Sequence, residues 1–364
     1  MRRVPWQSLA AGAARLPSVR RAANWLVDDA TAPRRLGTRR LGTRLGSGRG
    51  RLPLNAVCDP CFWRDGEWRT YGRALGLAQD EGWYHRKAWE WTQCVYGLER
   101  LHALGRDKTV LGIGAGHECV LYYLANRSAA TVATDLYAGD FTGSPAGEAD
   151  PAFLEDPSQF APFVYDKDRL LPLPADGCHL PFASASFDVV YSLSSIEHFG
   201  GHERASDAMR EIGRVLVPGG IACVATELIL DGGPHPAYFT MEHLYEYVIG
   251  PAGMSLVQPL AGVRLPQELL DDPVKLPEEY QKTPHIVLQD GQWKFTSVCL
   301  FMRKPTHLDL MVASSRRAAA RVPALFRLTS SNPAEERPST GGTRPTTWPD
   351  LPLLTWRTPR LGAP

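Results

Sequence analysis

The sequence predicts an α/β protein with a mostly parallel sheet, helices on both faces and an antiparallel hairpin at its end. Three observations lead there. Short apolar runs alternate with helical segments between residues 109 and 225, the pattern of strands joined by crossover helices. A glycine turn, Gly114-Ala115-Gly116, follows the first apolar run. Asp290-Gly291 lies between two late apolar runs, and Asp-Gly in that setting is a strong hairpin signal.

The elements follow in order. Trp83, Lys87 (through its aliphatic stem), Trp91, Val95 and Leu98 recur at three- and four-residue steps, which is helical periodicity. Thr109–Ile113 is a short strand, Glu118–Ala125 a helix and Thr131–Thr134 a second strand. A long Gly/Pro-rich excursion leads to Pro174, and Phe187–Tyr191 is a buried strand. Arg204–Leu216 is an amphipathic helix with Met209, Ile212, Val215 and Leu216 on its apolar side. Pro218, Gly219 and Gly220 stop it and turn the chain into the strand Ile221–Ala225. Ile286–Leu288 and Lys294–Phe301 make the hairpin, and a last helix spans Val312–Val322 before Pro323.

Composition narrows the class. The 364 residues are 44% hydrophobic and 22% charged, ordinary for a soluble chain with a sizeable core. No apolar run approaches the ~18 residues of a membrane-spanning helix, so no membrane partner is expected. A net charge of +1 hides an asymmetry: residues 1–50 hold eleven Arg against two Asp, and residues 303–364 hold ten Lys or Arg against four acids. About fourteen net negative charges therefore lie between them. An acidic centre with basic ends argues against a nucleic-acid-binding domain.

The first fifty residues, with their near-repeat RLGTRR and LGTRLG, lack the apolar content to fold, and disorder is expected there and in the Pro/Thr/Ser/Arg tail. An Arg-rich, acid-poor start is also the composition of an organelle transit peptide. Seven cysteines without framework spacing imply a reducing, cytoplasmic setting. Cys58 and Cys61 form a C-x-x-C whose nearest further candidates are His85 and Cys94, so no metal site is expected. The resulting organisation is a basic arm (1–55), a helical cap (56–108), a ligand-binding domain (109–304, with an insertion at 259–285) and a basic tail (305–364).

The chemistry begins at the glycine turn. A strand running into Gly114-Ala115-Gly116 and then a helix lets the backbone approach a ligand and aims unpaired helix N–H groups at it. The spacing argues against a nicotinamide oxidoreductase. A G-x-G-x-x-G run from Gly112 would need glycine where His117 stands, and one from Gly114 would need it where Cys119 stands. Asp135, at the end of the next strand, can accept both hydrogen bonds of a ribose diol, although a strand-end Asp also serves turns.

Two further blocks carry a family resemblance. DGCHLPFASASFDVVYSLSSIEHFG (residues 176–200) and AMREIGRVLVPGGIACVATE (residues 208–227) resemble the central blocks of class I S-adenosylmethionine-dependent methyltransferases of the type 11 kind. They match at Asp176, Leu180-Pro181-Phe182, Phe187-Asp188, Glu211, Arg214-Val215-Leu216 and Pro218-Gly219-Gly220. With the glycine turn and Asp135, the resemblance covers about residues 84–303.

The resemblance implies a Rossmann-like fold with a seven-stranded sheet, and S-adenosylmethionine as cofactor. It implies that Gly114, Ala115 and Gly116 line the methionine part, Asp135 and the adjoining Leu136 the ribose, Asp176 and Gly177 the adenine, and that Ser192 lies near the sulfonium. The chain departs from the pattern twice: Gly112 replaces the usual acidic residue of the first strand, and Glu118 replaces the third glycine. Glu118 is therefore expected to supply the missing carboxylate.

Methyl transfer is an in-line displacement, so the protein mainly aligns the reactants. A base is needed only where the acceptor must lose a proton. Glu197 and His198, after the fourth strand, and Glu227, at the end of the fifth, are the candidates. The expected partner is a small-molecule or sugar acceptor of unspecified identity, with no nucleic acid, and nothing in the sequence fixes the oligomeric state. A methyltransferase-like binding or scaffold protein without activity is the alternative.

Overall fold

The protein is described by a computed structural model over residues 52–77, 84–137 and 149–311. Residues 1–51 of the basic arm, Trp83, the expected helix Val312–Val322 and the tail beyond residue 311 lie outside the described residues, whereas Leu54 and Asn55 at the end of the arm are buried. The chain clusters into residues 1–314 and 315–364, and everything below concerns the first unit.

In chain order, β1 (Ala56–Val57) leads to helices α1 (Gly66–Ala74) and α2 (Arg86–Arg100), then β2 (Thr109–Ile113), α3 (Cys119–Ala125) and β3 (Ala130–Asp135). After α4 (Ala152–Glu155) come β4 (Leu170–Pro174), β5 (Phe187–Leu193), α5 (His202–Val215) and β6 (Leu216–Asp231). A helical stretch over 241–249 precedes β7 (Ser255–Leu256), and β8 (Val274–Lys275), β9 (Leu288–Asp290) and β10 (Trp293–Arg303) complete the sheet.

The strands form one sheet in the order β4-β3-β2-β5-β6-β10-β9-β8, with β1 and β7 also paired to β10. The pairs β4–β3, β3–β2, β2–β5 and β5–β6 are parallel, and β6–β10 is antiparallel. The architecture is thus as expected, but the strand number is ten rather than seven. The surplus comes from β1, β7 and β8, each two residues long, too short for any alternation to show in sequence. Strand β6 also outruns its expected end at Ala225, because β10 pairs with it from Arg303 opposite Ile221 to Lys294 opposite Asp231.

The central strands contribute to two cores. Val189, Tyr191 and Leu193 of β5 pack on one face with Trp89, Tyr96 and Leu121. Phe187 and Val190 pack on the other with Met209, Ile212 and Val248. A parallel strand covered on both sides has no polar face, which is why all five residues of β2 are buried. The burial of Ala205, Ala208, Met209, Ile212 and Val215 on α5 follows helical spacing.

Strand order reverses between β2 and β5: β3 and β4 lie to one side of β2, while β5 and β6 lie to the other. The crevice beyond the carboxyl ends of strands at such a reversal is where open α/β sheets bind ligands.

Candidate functional site

Gly114 and Gly116 hold φ of +60° and +46°, backbone that favours glycine. A Cβ on Gly114 would fall 2.5 Å from the Cβ of Ser195, whose hydroxyl donates to the Gly114 carbonyl at 2.8 Å. The turn after β2 is thereby tied to the loop after β5. It is tied to β3 as well: the Ala115 N–H donates to Thr134 O at 3.0 Å, and the Gly116 N–H to Asp135 Oδ2 at 3.0 Å. The Glu118 N–H donates to Ala115 O at 3.3 Å. These three amides are not the unpaired donors expected from sequence, because the carboxyl end of β3 occupies two of them. A phosphate would find them engaged.

Asp135 Oδ1 accepts from the Leu136 N–H at 2.7 Å, and Leu136 itself is exposed. On the neighbouring strand tip, Asp176 Oδ1 accepts from Cys178 N at 2.8 Å and Oδ2 from Arg204 at 3.0 Å. Burial pushes the Asp176 carboxyl up, but the Cys178 amide and Arg204 outweigh it and hold it below its ordinary range. Gly177 lies under Phe199 and Ile113, where a Cβ would meet the Phe199 ring at 2.6 Å.

Several residues that carried the resemblance bind one another. Glu211 accepts from the Leu180 N–H at 2.8 Å, and Arg214 donates to the carbonyls of Phe182 and Leu180. Asp188 accepts from the backbone and hydroxyl of Thr109 at 2.9 and 3.0 Å. These side chains lock loop to helix and strand to strand, so their contribution to the site is positional.

The two departures from the family pattern have separate surroundings. A Cβ on Gly112 would lie 2.8 Å from the Cβ of Ala115 and 2.8 Å from both Cζ and Oη of Tyr191. An acidic side chain has no room there. Glu118 precedes α3 without capping it, and its Oε1 lies 2.9 Å from Nζ of Lys87. Lys87 also donates to Leu193 O at 2.9 Å and pairs with Glu90 at 3.3 Å. The stripe on α2 that included Lys87 by its stem thus conceals its main feature, an ammonium set between the glycine turn and the tip of β5. The tryptophans beside it are packing residues: Trp89 is fully buried and meets Phe62 edge-on at 5.4 Å.

On the β6 side, Arg86 reaches Glu227 Oε1 at 2.5 Å, Glu90 Oε1 at 3.1 Å and the Ser297 hydroxyl at 3.1 Å. Glu197 Oε2 accepts from the Thr226 hydroxyl at 2.8 Å. Glu197, Glu227 and Glu90 are all buried. Burial is the largest influence on Glu197 and Glu227 and pushes each up to about 7, despite Arg86 beside Glu227. Glu90 goes the other way: burial would raise it, but Lys87 and Arg86 hold it low. His198 is exposed on the short 3-10 turn Ile196–His198, and its charge acts on Glu227.

Glu90 and Ser297 escaped the sequence reading. The R-K-x-x-E order at residues 86–90 was the available signal, since residues four apart on a helix share a face. Buried polar atoms without a protein partner gather at the same rim: Ser192 Oγ, Tyr191 Oη, Glu197 Oε1 and Glu227 Oε2. Cys58 is buried and Cys61 exposed, and no cluster that could hold a metal occurs among the described residues. No described helix is long and apolar enough to cross a membrane.

The family model of a methyltransferase domain matches residues 111–224, the span from β2 to β6 that carries the turn, both strand-tip aspartates and Glu197. That span, under a third of the chain, is similar to a methyltransferase domain. A curated human relative, "Probable tRNA methyltransferase 9B", is 44% identical over 45 residues, which are 12% of this chain and 10% of the relative. The chain thus spans only a tenth of that relative's length. Among solved structures, the [4+2]-cyclase SpnF is 17% identical, covering 71% of this chain and 100% of its own, with a TM-score of 0.39. A SAM-dependent methyltransferase from Aquifex aeolicus is 14% identical, covering 56% and 87%, with a TM-score of 0.34.

The donor set suits the cofactor of this domain. Asp135 and Asp176 are acceptors at adjacent strand tips, suited to hydroxyl and amino groups. Ser192 is buried with an unused hydroxyl, and the engaged amides of the turn disfavour a pyrophosphate.

Proposed function

We propose that the chain transfers a methyl group from S-adenosylmethionine to a small-molecule acceptor seated beyond the carboxyl ends of β5 and β6. The observation that carries this reading is the unpartnered, buried Ser192 hydroxyl on β5 at the strand reversal, with the tips that bear Asp135 and Asp176 on the far side of β2. In this reading Gly114, Ala115 and Gly116 line the methionine portion, and Asp135 accepts from the ribose with Leu136 against its edge. Asp176 and Gly177 border the base. Glu118, already paired with Lys87, fixes the charge beside the glycine turn.

The bound cofactor supplies a methyl group on a positively charged sulfur. The protein's own part is alignment, exclusion of water and proton management. Glu197 and Glu227 are the proton acceptors, because burial holds them near neutrality, where a base is most effective. His198, at the exposed edge, tunes Glu227 through its charge. The presence of Asp135, Asp176 and Ser192 together weighs against an inactive scaffold. The 45-residue similarity to a tRNA methyltransferase raises an RNA acceptor as a second reading. The carboxylates Glu118, Asp135, Asp176, Glu197 and Glu227 at the rim oppose it, since they would repel a phosphate backbone.

Calorimetry with S-adenosylmethionine, S-adenosylhomocysteine and NADH tests the assignment. Both sulfur compounds are expected to bind and NADH is not; binding of NADH alone would overturn it. Asp135→Ala is expected to weaken S-adenosylhomocysteine by ~2–4 kcal/mol, since two hydroxyls lose a charged acceptor. Because Asp135 also holds the Gly116 amide, Asp135→Asn serves as the control: it keeps one acceptor oxygen and is expected to fall between wild type and Ala. Wild-type affinity in both variants would remove Asp135 from the site.

A further inference from the structure

The buried charges at the rim do not balance. Glu90, Glu118, Glu197 and Glu227 are at least nine-tenths buried. Arg86 and Lys87 are the cations paired with them among the described residues. These two cations pair with three of the four carboxylates, Glu90, Glu118 and Glu227. Buried charge without a counter-charge is costly, so such a group either takes up protons or awaits a positive ligand.

The surplus is localised. Lys87 serves Glu90 and Glu118, and Arg86 serves Glu90 and Glu227. Among the described residues no cation lies within ion-pair distance of Glu197, whose carboxylate is held by its own backbone N–H and, through Oε2, by the Thr226 hydroxyl. Its Oε1 is buried and accepts from nothing, and so is Oε2 of Glu227. Beside them stands an aromatic ring: Tyr238 is close enough to both carboxylates that burial and then their charges push its hydroxyl up to about 12. Phe239, next in sequence, binds the backbone of Glu227 and Ile229. Two open carboxylate oxygens with a tyrosine ring nearby make a setting that favours a cationic nitrogen over a neutral hydroxyl.

The charge of the cofactor completes the picture. S-adenosylmethionine carries a sulfonium, an ammonium and a carboxylate, and so brings one net positive charge. Among the described residues Glu197 still has no cation at ion-pair distance, and an ammonium on the acceptor would supply one.

We infer that the acceptor presents a basic nitrogen, protonated in solution, which Glu197 and Glu227 receive as an ammonium and which Glu197 deprotonates. This rests on the methyltransferase reading above. The nitrogen's N–H bond breaks and its proton passes to Glu197 Oε1, leaving the lone pair on nitrogen. That pair then forms the N–C bond as the methyl–sulfur bond breaks, and sulfur keeps the bonding electrons. The product is the methylated ammonium and a neutral thioether. A carboxylate near 7 lies closer to an amine's ~10 than an ordinary Glu does, which eases the first step. The charged and titratable groups acting on Glu197 are Glu90, Lys87 and Arg86 from α2, Glu227 and Tyr238; those on Glu227 are Arg86 and Glu90 from α2, Glu197, His198 and Tyr238.

The experiment uses the full chain saturated with S-adenosylhomocysteine and two probes of like shape, benzylamine and benzyl alcohol, with binding followed by calorimetry at pH 8.5. Benzylamine is expected to bind at least tenfold more tightly than the alcohol. Glu197→Gln, which keeps the Thr226 hydrogen bond, is expected to erase that preference while S-adenosylhomocysteine still binds. Glu227→Gln is expected to reduce it. Equal binding of the two probes, no binding of benzylamine, or an unchanged preference in Glu197→Gln would overturn the inference. Failure of S-adenosylhomocysteine to bind the wild-type chain would instead overturn the methyltransferase reading.

Discussion

Glu197 shows what burial does to a single residue. Its ordinary value is 4.5, and the folded chain holds it at about 7. A carboxyl raised on folding contributes stability that is complete below the unfolded value and is lost as pH rises through the folded one. Glu197→Gln, which never ionises, is therefore expected to match wild type at pH 4.5 and to exceed it at pH 8.5 by up to about 3 kcal/mol. Thermal melts at the two pH values check this, and a gap that widens at acid pH would refute the burial account. At this scale Asp135 and Asp176 were visible in sequence because strand-end position and motif spacing mark them. The Lys87–Glu118 pair was not, because its members stand 31 positions apart and only the fold brings α2 over the turn. Gly112 was visible as a departure, but its reason, the Tyr191 ring, belongs to another strand.

Among elements, α2 positions the charged group, and its seat depends on one glycine. A Cβ on Gly97 would fall inside the Phe301 ring of β10. Gly97→Ala would gain helix propensity, worth about 1 kcal/mol, yet it forces α2 off the sheet, and overpacking of that kind costs about 1–3 kcal/mol. The variant is expected to unfold at lower denaturant than wild type and to lose S-adenosylhomocysteine affinity, because Lys87 rides on the same helix. A rise in stability would show that α2 can shift freely. Strand β4 is an instructive element for sequence reading. Leu170-Leu171-Pro172-Leu173-Pro174 carries two prolines that blur it, but it is the sheet's edge, paired only with β3. An edge is where a strand tolerates the missing N–H. Strands β2, β3 and β5 were legible nearly to the residue, since strands buried on both faces read as continuous apolar runs.

Across the whole molecule, the parallel half supplies the rim and the antiparallel half supplies breadth. Composition announced the acidic centre but not where its charge gathers, because summed charge carries no position. The end of the insertion at 259–285 is anchored at the start of α2. His285 N donates to Tyr84 O at 2.7 Å, Arg86 N donates to His285 O at 2.8 Å, and the rings of His85 and His285 stack at 4.2 Å. Strands β6 and β10 lie inside the sheet, each hydrogen-bonded on both sides and covered by both cores. That long antiparallel seam has a consequence in time. Amide hydrogens within 221–229 and 295–303 can reach solvent only when the whole sheet opens, so their exchange with deuterated water should be the slowest in the molecule and should report its global stability. Amides of the rim, at 112–118 and 135–137, should exchange through small local openings, and S-adenosylhomocysteine should slow them much more than it slows the seam. Equal slowing at rim and seam would mean that rim and seam open together.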